Sequence, residues 1–573
     1  MSAPLRIGNA SGFYGDRLGA VREMLADGPL DVLTGDYLAE LTMLILGRDR
    51  LADPGRGYAA TFLRQMEDSL ALAAERGVRI VSNAGGLNPA GLAAALRRLA
   101  ERRGLPVRVA YVTGDELLHR AEALGFPGAV TANAYLGGWG IAEALRRGAE
   151  VVVTGRVTDA SLVAGPAAAH FGWARDDFDA LAGATAAGHV LECGTQATGG
   201  NYAFFTELLA AGHDLTSPGF PLAEVDADGS AVITKHPGTG GAVTVGTVTA
   251  QLLYEITGPR YAGPDVTARF DTVRLEAAGP DRVRLSGARG EPPPPAVKVG
   301  VNRLAGFRNE VTFVLTGLDI EAKAALVRAQ AEAALGAARP RRLEWRLART
   351  DRASARTEQE HSALLRVVAA DPDAERVGRA FSSALVELAL ASYPGCHLTA
   401  PPGRGSPYGV FSAAHVDRAE VRQEVVLPGG ERLAVPADGP VLALAEVPDE
   451  AAPAPPGEPG PVRPAPLGAV LGARSGDKGG DATLGVWARD DPGWAWLDRT
   501  LTADRLRELL PETAGLPVRR YRLPKLRALS FVLEGLLGEG VAATSRFDPQ
   551  AKGVAEWLRA QTVDVPVELL EPG

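Results

Sequence analysis

The chain has 573 residues, 46% of them hydrophobic and 23% charged, and carries a formal net charge of −9. That balance suits a globular protein of about three units at roughly 100–200 residues each, and an acidic chain without a concentrated basic face is excluded from the nucleic-acid-binding class. The opening Met1-Ser2-Ala3-Pro4-Leu5-Arg6 has no apolar signal segment and no apolar stretch approaches the span of a bilayer, so a cytoplasmic protein with no membrane partner is expected.

From the N-terminus, apolar β-type runs stop abruptly at glycine and hydrogen-bonding side chains. Ile7-Gly8-Asn9 leads into Ser11-Gly12-Phe13-Tyr14-Gly15-Asp16-Arg17, and Val32-Leu33-Thr34-Gly35 into Asp36-Tyr37 and Glu40. Ile80-Val81-Ser82 meets Asn83-Ala84-Gly85-Gly86-Leu87-Asn88-Pro89, and Val109-Ala110-Tyr111-Val112 meets Thr113-Gly114-Asp115. Val151-Val152-Val153 gives way to Thr154-Gly155-Arg156-Val157-Thr158-Asp159, and a helix-like stretch then reaches Leu191-Glu192-Cys193-Gly194-Thr195-Gln196 and, five residues on, Asn201. Segments such as residues 89–101, with proline for a first helical turn followed by Ala and Leu, read as the intervening helices. The alternation predicts an α/β fold over residues 1–256, a largely parallel sheet with helices on both faces. Such sheets bind ligands beyond the carboxyl ends of their strands, where all these polar clusters fall.

After about Ile256 the alternation fades. Residues 266–285 and 298–316 read as paired strands, so a second α/β lobe is expected over 257–447. Proline is dense over 446–466, which removes amide donors and favours an extended connector, placed at 448–466. Beyond it, 467–488 reads as strand, polar loop, strand; 502–510 as a helix capped by Thr502; 541–547 as a strand; and 550–561 as a helix. Residues 467–573 suffice for a small α+β domain of split βαβ type. The two cysteines, Cys193 and Cys396, are far apart, so neither a disulfide framework nor a CxxC metal site is proposed.

Phe13-Tyr14-Gly15-Asp16-Arg17, Leu33-Thr34-Gly35-Asp36-Tyr37-Leu38-Ala39-Glu40, Asn83-Ala84-Gly85-Gly86-Leu87-Asn88-Pro89, Asn133-Ala134-Tyr135-Leu136-Gly137, Thr154-Gly155-Arg156-Val157-Thr158-Asp159 and Ile233-Thr234-Lys235-His236-Pro237-Gly238 together resemble the acyclic terpene utilisation family AtuA. Arg474-Ser475-Gly476-Asp477-Lys478-Gly479-Gly480-Asp481 is similar to the ferredoxin-like domain at that family's C-terminus. The resemblance covers nearly the whole chain. It implies a substrate neighbourhood, branched acids of the citronellol and geraniol type handled as coenzyme A thioesters, and supplies no catalytic assignment.

The residues themselves carry the roles. Asp36, at a strand end, Glu192 and His236 are the proton-transfer candidates; Cys193, in what reads as an exposed strand-end position, is a nucleophile candidate, although the adjoining glutamate would raise its pKa. Arg156 suits a carboxylate or phosphate through its planar fork, or simply pairs with Asp159 to fix the loop. Lys235 and Lys478 add anion recognition. Asn9, Ser11, Tyr14, Arg17, Asn83, Asn88, Asn133, Asp159, Gln196 and Asn201 complete the expected substrate-binding set. His189 and Glu192 have HxxE spacing without a second ligand pair, so a divalent metal is left open and no cofactor is required beyond the coenzyme A of the substrate. The glycines of 8–15 are spaced GxxxGxxG, a poor match to a dinucleotide loop. These features predict a lyase or hydratase working next to a thioester carbonyl. The alternatives are a non-catalytic acyl-thioester-binding subunit and a nicotinamide-dependent oxidoreductase. A homo-oligomer is expected.

Overall fold

The apolar runs of the N-terminal half form strands β1 (Leu5–Asn9), β2 (Val32–Gly35), β3 (Arg79–Ser82), β4 (Val109–Thr113), β5 (Ala129–Ala134) and β6 (Val151–Thr154) in a computed structural model that describes residues 3–445 and 460–571. All but β5 pair in parallel, in the order β1-β2-β3-β6-β4. Their carboxyl ends therefore share one edge.

Alternate residues of these strands enter different cores, the period-two signature of a sheet buried on both faces. Val32, Val81 and Val152 pack with Leu162, Ala184 and Val190 of the helices Ser161–Phe171 and Phe178–Leu191. Leu33, Ile80, Val151 and Val153 pack with Leu25, Phe62, Met66, Leu92 and Leu96 on the other side. Each large side chain so buried stabilises by roughly 1.5–3 kcal/mol. The helix Pro89–Arg102 starts where its sequence indicates: Asn88 Oδ1 accepts from Gly91 N at 2.9 Å, and Pro89 occupies the first turn.

The sheet is mixed, with eleven strands among the described residues. Beside β1, β7 (Pro221–Val225) and β8 (Ala231–Lys235) add antiparallel, followed by Val283–Ser286 and Arg274–Ala277; beyond β4 lie Glu424–Val426 and Arg432–Ala434. The pairing expected within 266–285 exists, but it extends this main sheet.

The structure divides into two units, Met1–Asn302 with Phe411–Gly538 and Gln550–Gly573, and Arg303–Val410 with Glu539–Pro549. The second unit is narrower than the 257–447 lobe anticipated from sequence, because 257–302 contribute strands to the first. In it, residues 307–316 and Arg342–Ala348 flank Ser362–Asp371 in antiparallel register. The helices Ile320–Leu335 and Arg379–Val386 cover that sheet through Val327, Ala331, Phe381 and Leu385. Residues 541–547, read as a strand, form none and fall in this unit.

In the first unit, Leu471–Lys478 and Asp481–Ala488 make a hairpin, and Ala528–Leu533 and Val518–Leu523 complete a four-stranded antiparallel sheet. Gly479, at φ 63°, provides the left-handed turn of the hairpin. Leu484, Val486 and Phe531 pack on Leu497, Leu506 and Leu558, a ferredoxin-like core of its own, while Trp487, Leu523 and Leu526 join the core of the main sheet. Thr502 caps Ala503–Leu509 by accepting from Arg505 N at 3.1 Å. Of the expected proline-rich linker, residues 446–459 lie outside the described residues; Val462–Pro466 is a strand paired with Thr562–Pro566. Among the described residues no helix is long and apolar enough to cross a membrane.

Candidate functional site

The residues that follow the parallel strands meet one another. Asp36, after β2, accepts hydrogen bonds on Oδ1 from Asn83 Nδ2 (2.5 Å), which follows β3, and from Leu38 N (3.1 Å); Asn83 Oδ1 accepts from Tyr37 N (2.8 Å). After β6, Arg156 Nη1 donates to Asp159 Oδ1 (2.7 Å) and Leu38 O (3.0 Å), and its guanidinium stacks 4.1 Å from the Tyr135 ring centroid. Asp115, after β4, accepts from Arg156 N (2.9 Å) and Asn133 Nδ2 (2.7 Å); among the described residues the buried Asn133 Oδ1 has no partner. Burial raises Asp115 to about 6 against these bonds.

Glu192 reaches the cluster by a different route from the one its sequence suggested. Phe178–Leu191 is a helix with Glu192 as its C-cap, and Gly194–Thr198 is a short 3-10 turn, so neither Glu192 nor Cys193 stands at a strand end. Asn9 fixes that helix end: its Nδ2 donates to Leu191 O (2.7 Å) and Glu192 O (3.3 Å). The chain can come this close only at glycine, since a Cβ on Gly12 would lie 2.8 Å from the Cys193 carbonyl carbon. Glu192 Oε1 lies 2.9 Å from His189 Nδ1, but out of line, and among the described residues Glu192 Oε2 and both His189 ring nitrogens are buried without hydrogen bonds. The imidazole sits against Tyr261 and Phe270, at 5.0 and 5.4 Å between centroids.

Charge makes this cluster unusual. Burial, then Asp159, pushes both Asp36 and Glu192 well above the usual carboxylate range; Arg156 pulls both back, with Asn83 opposing the rise at Asp36 and Lys478 at Glu192. Burial, then Lys478, depresses His189 to about 4 and so keeps it neutral. Burial, then Glu192, drives the Cys193 thiol upward. A thiol held protonated is a poor nucleophile, which corrects the expectation of an activated Cys193.

Lys478 enters from the C-terminal domain, at the tip of the Leu471–Lys478 strand. That strand docks closely: a Cβ on Gly476 would lie 2.4 Å from the Tyr254 ring. Burial opposes the charge on Lys478, but Glu255, Glu40, Glu192 and Asp159 outweigh it and raise its pKa. Nearby, Lys552 lies 3.8 Å from Glu255 and 3.9 Å from Asp477. Burial, then Glu255, lifts Asp477 to about 7. On the outer side Lys298 is 3.8 Å from Glu40 and 4.5 Å above the Tyr135 ring. Tyr135, Thr158 and Lys298 also line a cavity of about 360 Å³, together with Pro264, Val297 and Leu444.

Of the residues expected from sequence, the structure thus gathers Asp36, Asn83, Arg156, Asp159, Glu192 and Lys478, with Asn9 and Asn133 as supports. It does not gather the others. His236 turns toward the helix Ala20–Ala26, its Nε2 3.1 Å from Met24 O and its ring beneath Gly28. Lys235 pairs with Asp281 (3.1 Å), and Arg17 with Glu23 (2.6 Å). Asn88 is a helix cap. Ser11 donates to Phe13 O (3.0 Å), and Tyr14 packs against the core on the helix Ala60–Arg76 side. Gln196 and the carbonyl of Asn201 are taken by Arg474. Sequence reasoning missed Tyr135, Lys298, Glu255 and Tyr261. Only Tyr135 carried a signal, following a strand end at Asn133-Ala134 as the other clusters do. Among the described residues no group of three His, Cys, Asp or Glu side chains is arranged to hold a metal ion.

Comparison with known families places this arrangement. The profile of the acyclic terpene utilisation family protein AtuA matches residues 5–427, and that of the AtuA ferredoxin-like domain matches residues 465–564. No curated protein matches the chain. The first match spans most of the sequence and every strand-end residue of the cluster, and the second spans the strand that carries Lys478: the chain belongs to the acyclic terpene utilisation family AtuA.

Proposed function

We propose that the protein is a lyase or hydratase that acts on a branched, terpenoid-type acyl-coenzyme A thioester by moving a proton next to the thioester carbonyl. The observation that carries this reading is the pair of buried carboxyls, Asp36 and Glu192, both raised in pKa around the Arg156–Asp159 ion pair. Carboxyls lifted by burial hold protons at a pH where free carboxylates cannot, and with the Arg156-paired Asp159 beside them the cluster supplies both donors and an acceptor. General acid–base catalysis of this kind contributes about 10²–10⁴-fold to a rate. The cavity beside Tyr135 and Lys298, about 360 Å³ and walled by proline and aliphatic side chains, has room for a branched acyl chain.

The nicotinamide reading finds less support. Gly12 N is already bound to Asp16 Oδ2 (2.8 Å), and Asp36 Oδ1 to Asn83, so neither the loop amide nor the carboxylate stands free for a dinucleotide. A non-catalytic thioester-binding subunit would bind without conversion. The experiment is incubation of the purified protein with branched enoyl- and hydroxyacyl-coenzyme A thioesters, with and without magnesium, and measurement of product masses. Conversion by the native protein and its loss in Glu192→Gln supports the proposal; binding without conversion overturns it.

A further inference from the structure

Lys478 is a cation among four carboxyl groups that pairs with none of them. It lies close enough to Glu255, Glu40, Glu192 and Asp159 to feel each charge, yet among the described residues its ammonium makes no ion pair or hydrogen bond. Its neighbours behave differently: Lys298 has Glu40, Lys552 has Glu255 and Asp477, and Arg156 has Asp159. Glu192, whose side chain is 8% exposed, likewise keeps Oε2 buried and unpartnered. A buried polar atom left unsatisfied costs about 1–3 kcal/mol, so the free carboxyl oxygen of Glu192, with the half-buried and unpaired Lys478 on the strand that docks against Tyr254, marks the place of a polar group of a ligand.

We infer that Lys478, supplied by the ferredoxin-like domain, is a catalytic residue whose ammonium binds the carbonyl oxygen of the thioester and stabilises the enolate that forms there. This rests on the function proposed above and assigns its electrophile. In the hydration direction the Asp159 carboxylate, held by Arg156, takes a proton from water while the water oxygen bonds to the β-carbon of an enoyl thioester. The electrons of the double bond shift toward the carbonyl, whose oxygen becomes the enolate held by Lys478. Glu192 then gives its proton to the α-carbon, the carbonyl reforms, and Lys478 keeps its own protons throughout. One carboxyl gains a proton and another loses one, so the site ends neutral relative to its start. A preorganised charge directed at a developing oxyanion is worth about 10²–10³-fold in rate for a single donor. The ferredoxin-like domain is on this account a part of the active site.

The test uses the full chain with 3-methylcrotonyl-coenzyme A for hydration and isovaleryl-coenzyme A for exchange of the α-hydrogen in deuterium oxide. Lys478→Met should lower kcat and the exchange rate by about 10²–10³-fold, with KM changed by less than about threefold and an unchanged melting temperature. Lys478→Gln, which keeps a neutral donor, should show an intermediate loss, and replaces the Met variant should that variant fail to fold. A kcat within about threefold of native, or a loss carried wholly by KM, overturns the role of Lys478 while leaving the proposed function standing. Native protein that neither hydrates nor exchanges either thioester overturns the proposed function and this role with it.

Discussion

Two regions of this molecule look alike in sequence and differ in what they do. Thr154-Gly155-Arg156 and Thr234-Lys235-His236 each place a basic side chain at the end of an apolar strand of the same sheet. β6 stands in the parallel centre, where its neighbours β3 and β4 also end, so Arg156 meets Asp159, Tyr135, Asp115 and the Asp36 region. β8 lies two strands outside β1, beyond β7, and its register puts Lys235 beside Pro221. It ends at the same edge, but Lys235 finds Asp281 and His236 turns toward the helix Ala20–Ala26. Convergence on a ligand needs several strands to finish side by side with their side chains on the same side of the sheet; a polar strand end alone gives an ion pair or a buried hydrogen bond.

Three experiments bear on that contrast. Glu192→Gln in the central cluster should lower kcat by about 10²–10⁴-fold without loss of folding, read from thioester turnover and thermal melting together. Retained turnover would remove the functional half of the comparison. His236→Ala at the outer strand should leave kcat unchanged and cost about 1–3 kcal/mol in denaturant unfolding, since it strips a partner from the Met24 carbonyl region and opens space under Gly28. A kcat that falls with His236→Ala would make the two regions equivalent.

The smallest effect is on stability against pH. Asp36 and Glu192 have folded pKa values above their unfolded values of 3.8 and 4.5, so their contribution is full below those values and is lost as pH rises toward the folded ones. Asp477 adds the same sign between 3.8 and about 7. His189, at about 4 against 6.5, has the opposite sign: its contribution is full above 6.5 and is lost as pH falls toward 4. Native protein should therefore lose stability as pH rises above about 4.5, the three raised carboxyls outweighing His189, by roughly 1.4 kcal/mol for each pH unit and each net group still releasing its proton on unfolding, and Glu192→Gln should flatten that decline. A native profile with the same slope as the variant would show that Glu192 does not hold its proton.

The central strands and their polar ends were legible because a buried parallel strand writes itself as a short β-branched run closed by glycine, as at Val151-Val152-Val153-Thr154-Gly155. Local caps were legible for the same reason: Asn88 and Thr502 act within three residues of themselves. The antiparallel edge was not. β7 and the strands at 274–277 and 283–286 are short and lie among turns, and only their partners reveal that they belong to the main sheet. Glu192 was singled out for the wrong local structure, because an alanine-rich helix ending in Val190-Leu191 resembles an apolar strand at its last residues. Glu255, Tyr261 and Lys298 come from segments with no strand-end pattern, and nothing local signals that the Lys478 hairpin docks on Tyr254.

Burial lifts Asp36 and Glu192 above the usual carboxylate range, and the proposed chemistry requires both to hold protons at neutral pH. The direct measurement is the carboxyl region of the infrared spectrum at pH 7, native protein minus the double variant Asp36→Asn/Glu192→Gln. A protonated-carboxyl band in the difference is the predicted result; a difference that shows only ionised carboxylate would contradict it.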